Sequence, residues 1–158
     1  MSRITPFLWF DTQAEVAATF YASVFPRSRI VDVARYGDSG PGPAGSVMTV
    51  RFELDGTEVF ALNGGPAHAG FTETISLLVS CTSQEEVDHY WNRLREGGEE
   101  GPCGWLKDRY GLSWQIVPDR LGELMADPDP GRATRAMQAM LTMKKLDVAV
   151  LEAAADGA

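Results

Sequence analysis

The sequence predicts an α+β fold built from two βαβββ modules and a helical tail. Three observations carry this prediction. The order strand, helix, three strands occurs twice, each strand-to-helix junction has the S/T-x-x-E/Q form of a capping box, and after Pro118 the strand pattern gives way to helical segments. Module one spans about residues 3–64, module two about 72–118 and the tail about 119–155. With 158 residues the chain suffices for one well-filled domain or two half-domains sharing a core.

The first strand is the apolar, aromatic run ITPFLWF, residues 4–10, which stops at Asp11. Thr12-Gln-Ala-Glu15 then opens a helix whose stripe is Val16, Phe20, Tyr21 and Val24, and Pro26 ends it. Strands follow at 29–36, 46–54 and 57–62, the last two joined by Asp55-Gly56, a two-residue hairpin turn. The loop GDSGPGPAG separates the first two of these. The pattern restarts with a strand over 73–81, a capping box at Ser83-Gln-Glu-Glu86, and a helix marked by Val87, Tyr90, Trp91 and Leu94 that ends at Gly97-Gly98. At an offset of 71, Leu8 falls on Val79, Thr12 on Ser83, Glu15 on Glu86 and Phe20 on Trp91. A short strand within 99–103 and strands at 104–108 and 112–117 complete the second unit. Neither unit alone buries both faces of its helix and sheet, so the two are expected to pair through a shared core. Tail helices are expected over 121–126, 132–143 and 145–155. The stripe Met137, Met140, Met143 suits either a pliable binding face or packing against the domain or a second subunit, and Arg132 and Arg135 of GRATR suit a solvated face.

The formal charge of −8, from 14 basic and 22 acidic residues with no basic run, excludes nucleic acid and anionic membranes as natural partners. No apolar run approaches the about 20 residues of a membrane span, and MSRITPFLWF lacks a signal-peptide pattern, so a cytoplasmic protein is expected. Cys81 and Cys103 form no C-x-x-C pair, so neither a disulfide framework nor a thiolate zinc site is expected.

The duplicated order, with ITPFLWFDTQAEVAATFYASVF opening one copy and KDRYGLSWQIVP closing the other, resembles the vicinal-oxygen-chelate superfamily of glyoxalases, bleomycin-resistance proteins and extradiol dioxygenases. LNGGP at 62–66, the stretch from EEVDHYW to SWQIVP and the tail AMLTMKKLDVAVLEAA are similar to its PhnB-like branch, labelled 3-demethylubiquinone-9 3-methyltransferase. The resemblance implies an eight-stranded cupped sheet around a cavity, and commonly a homodimer. Carried over residue by residue, the superfamily's metal-ligand positions fall at Thr5, at Thr74 or Ser76, at Asn63 and at Gln115. Hydroxyls and amides bring no negative charge to offset the desolvation of a dication, so no metal is expected.

Strand alternation with Leu8 and Phe10 towards the helix puts Thr5, Phe7 and Trp9 on the opposite face, and Ser113, Gln115 and Val117 share one face of the last strand. Thr5, Phe7, Trp9, Asn63, Thr74, Ser76, Ser113 and Gln115 are therefore the candidate ligand-binding residues, for a small apolar or aromatic molecule. Gln115 itself is open to three assignments: a relic of a metal site, a ligand-binding group, or a satisfied core amide. A rival expectation is a lyase, isomerase or quinone-directed transferase with Glu73 or His68 as proton carrier, Glu73 acting through a pKa raised by burial beside Trp105 or Trp114. A third is a binder that sequesters a toxic aromatic compound. No cofactor is expected, since the Gly37–Gly42 stretch lies between two strands and opens no helix, unlike a Rossmann-type methyltransferase.

Overall fold

The computed structural model describes residues 3–68 and 70–158. It divides into two compact units, Met1–Gly70 and Phe71–Ala158.

In unit one, β1 (Phe7–Phe10), α1 (Ala14–Val24), β2 (Arg29–Arg35), β3 (Val47–Leu54) and β4 (Thr57–Asn63) follow in order. The sheet runs β1-β4-β3-β2, with β1 parallel to β4 and the other pairs antiparallel. Strand β1 starts later than the apolar run suggests because Pro6 has no N–H to give the ladder, although its carbonyl still accepts from Phe60 N at 3.0 Å. Asp55 and Gly56 turn β3 into β4 with φ of 48° and 80°, as a two-residue hairpin of right-handed twist requires.

Helix α1 departs from its expected face. Val16 is 58% exposed and Phe20 half-buried, whereas Ala14, Ala17, Ala18, Tyr21 and Val24 are buried. The small alanines let the helix lie close on the sheet, whose Val50, Phe52, Val59 and Ala61 supply the bulk, with Tyr21 stacked on Phe52 at 6.4 Å. The Thr12–Glu15 box also does not form. The N-cap is Gln13, without a side-chain cap bond, and the amide oxygen of Asn63 takes the Ala14 N–H at 2.8 Å instead.

Unit two repeats the plan with β5 (Leu77–Cys81), α2 (Gln84–Arg95), β6 (Glu99–Glu100), β7 (Trp105–Lys107) and β8 (Ser113–Pro118), in the order β5-β8-β7-β6. Here the Ser83 cap forms: its Oγ accepts from Glu86 N at 3.3 Å, while the Glu86 carboxylate reaches one residue past the N-cap and accepts from Thr82 N at 2.7 Å. Of the expected stripe Tyr90 is only half-buried, and Val87, Trp91 and Leu94 are buried. They are the counterparts of Ala17, Tyr21 and Val24, so the helices repeat at an offset one residue shorter than the strands.

The tail forms α3 (Asp119–Met125), α4 (Pro130–Leu141) and α5 (Val148–Asp156) around Leu121, Leu124, Ala136, Leu146, Leu151 and Ala155. Met140 and Met143 pack on this cluster, while Met137 is 42% exposed. Arg135 is no solvated charge, because it closes the end of α5 by donating to the Ala155 carbonyl at 3.0 Å. The tail is tied to the rest of its unit through Cys103 N to Met143 O at 2.8 Å, Gly104 N to Lys144 O at 2.7 Å, and Val148 N to the Gln84 amide oxygen at 2.8 Å. Among the described residues no helix is long and apolar enough to cross a membrane.

Candidate functional site

In unit two, strand parity sorts the side chains of β7 and β8. Leu106, Trp114 and Ile116 are buried on the side of α2, and Trp105, Lys107, Ser113 and Gln115 project from the other face. The register places Lys107 opposite Ser113 and Trp105 opposite Gln115, with Leu78 of β5 on the far side of Gln115. Directly opposite residues hold their Cβ atoms about 4.5–5.5 Å apart, so these four form one patch.

The turn Asp108–Gly111 sets that register. Asp108 is 2% exposed; its Oδ1 accepts from Tyr110 N at 2.8 Å and Leu112 N at 3.1 Å, and its Oδ2 from Trp114 Nε1 at 2.8 Å. Gly111 leaves the turn at φ 86°, where an L side chain is disfavoured.

A cleft of about 380 Å³ opens on this face, walled by Trp105, Lys107, Ser113, Glu73, Glu99 and Pro102. Ser113 is 1% exposed, and its hydroxyl is a buried side-chain atom without a hydrogen-bond partner. An orphan of this kind calls for an explanation, since it carries an unrecovered desolvation cost. Within the lining, Lys107 Nζ pairs with Glu73 Oε1 at 2.5 Å. The hydrogen bond from Lys107 holds the Glu73 carboxyl below its ordinary pKa, and the same bond raises that of Lys107. Gln115 donates to Ser76 Oγ at 2.9 Å.

Two of the expected site residues, Ser76 and Gln115, thus meet, and Ser113 lies beside Gln115 on β8. Thr74 does not join them: β5 begins only at Leu77, and Thr74 is exposed and bonded to Thr72 Oγ1. Glu73 is 62% exposed and ion-paired, and its pKa moves opposite to the shift a buried general base needs. In unit one, Phe7 is 57% exposed and stacked on its strand partner Phe60 at 5.8 Å. Trp9 Nε1 donates to Gly65 O at 2.9 Å, and His68 meets the Trp9 ring edge-on at 5.1 Å. Thr5 is half-buried ahead of β1. Asn63 serves the fold: it follows Val59 and Ala61 on the helix-facing side of β4, caps α1, and donates to Val47 O at 3.1 Å. A second cleft of about 460 Å³ lies beside it, between Asp11, Glu15, Tyr36 and the 41–43 loop.

The donor set does not fit a resident transition metal. Among the described residues no three His, Cys, Asp or Glu side chains group to hold one, and the ligand positions carry neutral atoms, with the Asn63 oxygen already on a helix N–H and the Gln115 amide on Ser76. A Rossmann-type nucleotide cradle is not formed either, because Gly37, Gly40 and Gly42 connect β2 to β3 and the ring of Tyr36 sits where a Gly42 side chain would be, at 2.4 Å. Trp105, Lys107 and Asp108 were not among the expected site residues. The alternation along 105–107 with Leu106 as the apolar member was the available signal.

A family model described as 3-demethylubiquinone-9 3-methyltransferase matches residues 2–117, stopping just short of α3. Among solved structures, a putative 3-demethylubiquinone-9 3-methyltransferase, PhnB protein, from Bacillus cereus is 37% identical, with TM-score 0.66 over 74% of this chain and 99% of that one. Protein PA1353 from Pseudomonas aeruginosa is 22% identical with TM-score 0.62, over 75% of this chain and 98% of that one. A genomically encoded fosfomycin resistance protein, FosX, from Listeria monocytogenes is 15% identical with TM-score 0.54, over 77% of this chain and 94% of that one. The last two likenesses speak to the fold alone. No curated protein matches the chain. The two mixed sheets, the duplicated element order and these matches agree, and the chain belongs to the 3-demethylubiquinone-9 3-methyltransferase family, the PhnB-like branch of the vicinal-oxygen-chelate fold.

Proposed function

We propose that the protein binds a small, largely aromatic molecule on the β7–β8 face of unit two, without a bound metal. The observation that carries this is the partnerless hydroxyl of Ser113 lining a cleft beside Trp105. A ligand oxygen or nitrogen received there would satisfy a group the fold leaves orphaned, and the indole supplies a flat apolar wall. Lys107, which also lines the cleft, adds a polar contact.

A methyltransferase activity, the sense of the family label, has less support, because among the described residues neither a Rossmann-type nucleotide cradle nor a buried acid–base pair is in place. Native mass spectrometry of purified protein tests the binding role. A non-covalent small-molecule adduct, lost in Ser113→Ala and Trp105→Ala while both variants stay folded, is expected. An adduct retained in both, or stoichiometric transition metal lost on Gln115→Ala, would overturn the proposal, as would adduct-free protein whose melting temperature no metabolite raises.

A further inference from the structure

We infer that the ligand of this cleft presents a neutral acceptor oxygen, as an aryl carbonyl does, to the paired donors Ser113 and Lys107. This rests on the proposed binding role and names the class of molecule that would fill it.

The inference follows from which groups stand at contact and which stand at the rim. Ser113 and Lys107 are cross-strand partners, so their side chains rise together from one spot of the sheet. The hydroxyl is free to donate, and the ammonium has three N–H bonds, of which the structure places one on Glu73. On the same face of β7, two residues from Lys107, Trp105 also lines the cleft. The contact point is therefore a pair of donors above an aromatic wall, which selects an oxygen acceptor carried on a flat body.

The charges around it decide whether that oxygen is anionic. Glu73 pairs with Lys107 from the segment before β5, and Glu99 lies opposite Lys107 on β6. Glu100 is matched by Arg95 at 3.3 Å and Lys144 at 3.7 Å. Three carboxylates, Glu73, Glu99 and Glu100, thus stand against three cations, Lys107, Arg95 and Lys144, and the surroundings carry no net charge to draw in an ionic ligand. A ligand carboxylate would compete with Glu73 for Lys107 and upset that balance, and a ligand ammonium would meet Lys107 as a like charge. A carbonyl takes both donors and disturbs neither balance.

Three ring-matched probes test this: acetophenone, benzoate and benzylamine, titrated at millimolar concentration and followed by ligand-observed NMR. Acetophenone should bind tightest. Ser113→Ala and Lys107→Met should each weaken it by about three- to tenfold, the range for one net hydrogen bond. Glu73→Gln should strengthen benzoate by about three- to fivefold and leave acetophenone within about twofold, because it removes one negative charge and no contact to the ring. Preference for benzoate or benzylamine that still falls in Ser113→Ala would overturn the carbonyl assignment and leave the cleft as the binding site. Binding of all three unaffected by Ser113→Ala and Trp105→Ala, or no binding by any, would overturn the site along with it. Circular dichroism melting of each variant separates loss of affinity from loss of fold.

Discussion

Asp108 gives the sharpest quantitative test of how the site is held. Its carboxylate takes three donors, two of which, Leu112 N and Trp114 Nε1, belong to residues only 1% exposed. Asp108→Ala strands both, at about 1–3 kcal/mol for each buried unsatisfied group, for a loss of about 2–6 kcal/mol. Asp108→Asn keeps an oxygen for the two backbone donors but turns an NH2 towards the indole N–H, so it should lose about 1–3 kcal/mol. Since domains of this size are stable by about 5–15 kcal/mol, the alanine variant approaches the margin and the asparagine variant stays measurable. Equilibrium urea unfolding should rank wild type above Asp108→Asn above Asp108→Ala, with little change in the denaturant slope. A double-mutant cycle of Asp108→Asn with Trp114→Phe should show a coupling of about 0.5–3 kcal/mol. Equal stability of the two Asp108 variants, or a cost below about 1 kcal/mol for alanine, would refute the account.

The remaining predictions address other elements. Asn63→Ala should lower stability by about 1–2 kcal/mol through loss of the α1 cap and leave ligand affinity in unit two unchanged, as paired melting and binding measurements can check. In Gly98→Ala the new Cβ would sit 2.0 Å from the Lys107 carbonyl oxygen, a clash with backbone that should cost about 1–3 kcal/mol in thermal unfolding. Burial pushes the Cys81 thiol up to about 12, so iodoacetamide at mildly alkaline pH should label half-buried Cys103 first, as peptide mass spectrometry would show. Hydrogen bonds from Lys145 and Gln84 hold the Asp88 carboxyl below its ordinary range. A depressed carboxylate stabilises the fold above its unfolded pKa of about 3.9 and loses that contribution as pH falls through the lower, folded value. Wild type and Lys145→Met should therefore differ slightly in melting temperature at neutral pH and converge in acid, the difference being small because both side chains are partly exposed.

The duplicated fold was legible because its signals are local. Ser83 with Glu86, Asp55-Gly56 and the alternation of residues 113–117 each specify a cap, a turn or a face within a few residues, and each forms as expected. What sequence order concealed depends on partners far along the chain. The stripe of α1 was assigned to its largest residues, yet the sheet already supplies the bulk, so the alanines turn inward and Val16 outward. Asn63 reads as a ligand contact through its likeness to a metal position, although Val59, Ala61 and Asn63 share a parity that points to the helix. Glu73 reads as a candidate buried base because Lys107, 34 residues on, is invisible to local pattern.

The same contrast explains why the two modules diverge at their helix starts. In module two the cap comes from the chain just ahead of the helix, Ser83, which leaves the end of β8 free to run straight from Pro118 into α3. In module one Gln13 provides no side-chain cap, so the last residue of β4 must turn its amide towards α1, and the glycines after it follow a tight path in which Trp9 occupies the space of a Gly64 side chain at 2.1 Å. Asn63 is thereby committed to the fold of its own module. In module two Ser113 and Gln115 lie on the face of β8 away from α2: the Gln115 amide donates to Ser76, and the Ser113 hydroxyl has no partner. Side-chain parity therefore divides the duties: the helix side of β4 spends its amide on a cap, whereas the opposite face of β8 carries a hydroxyl that no part of the fold uses, and a ligand can use it.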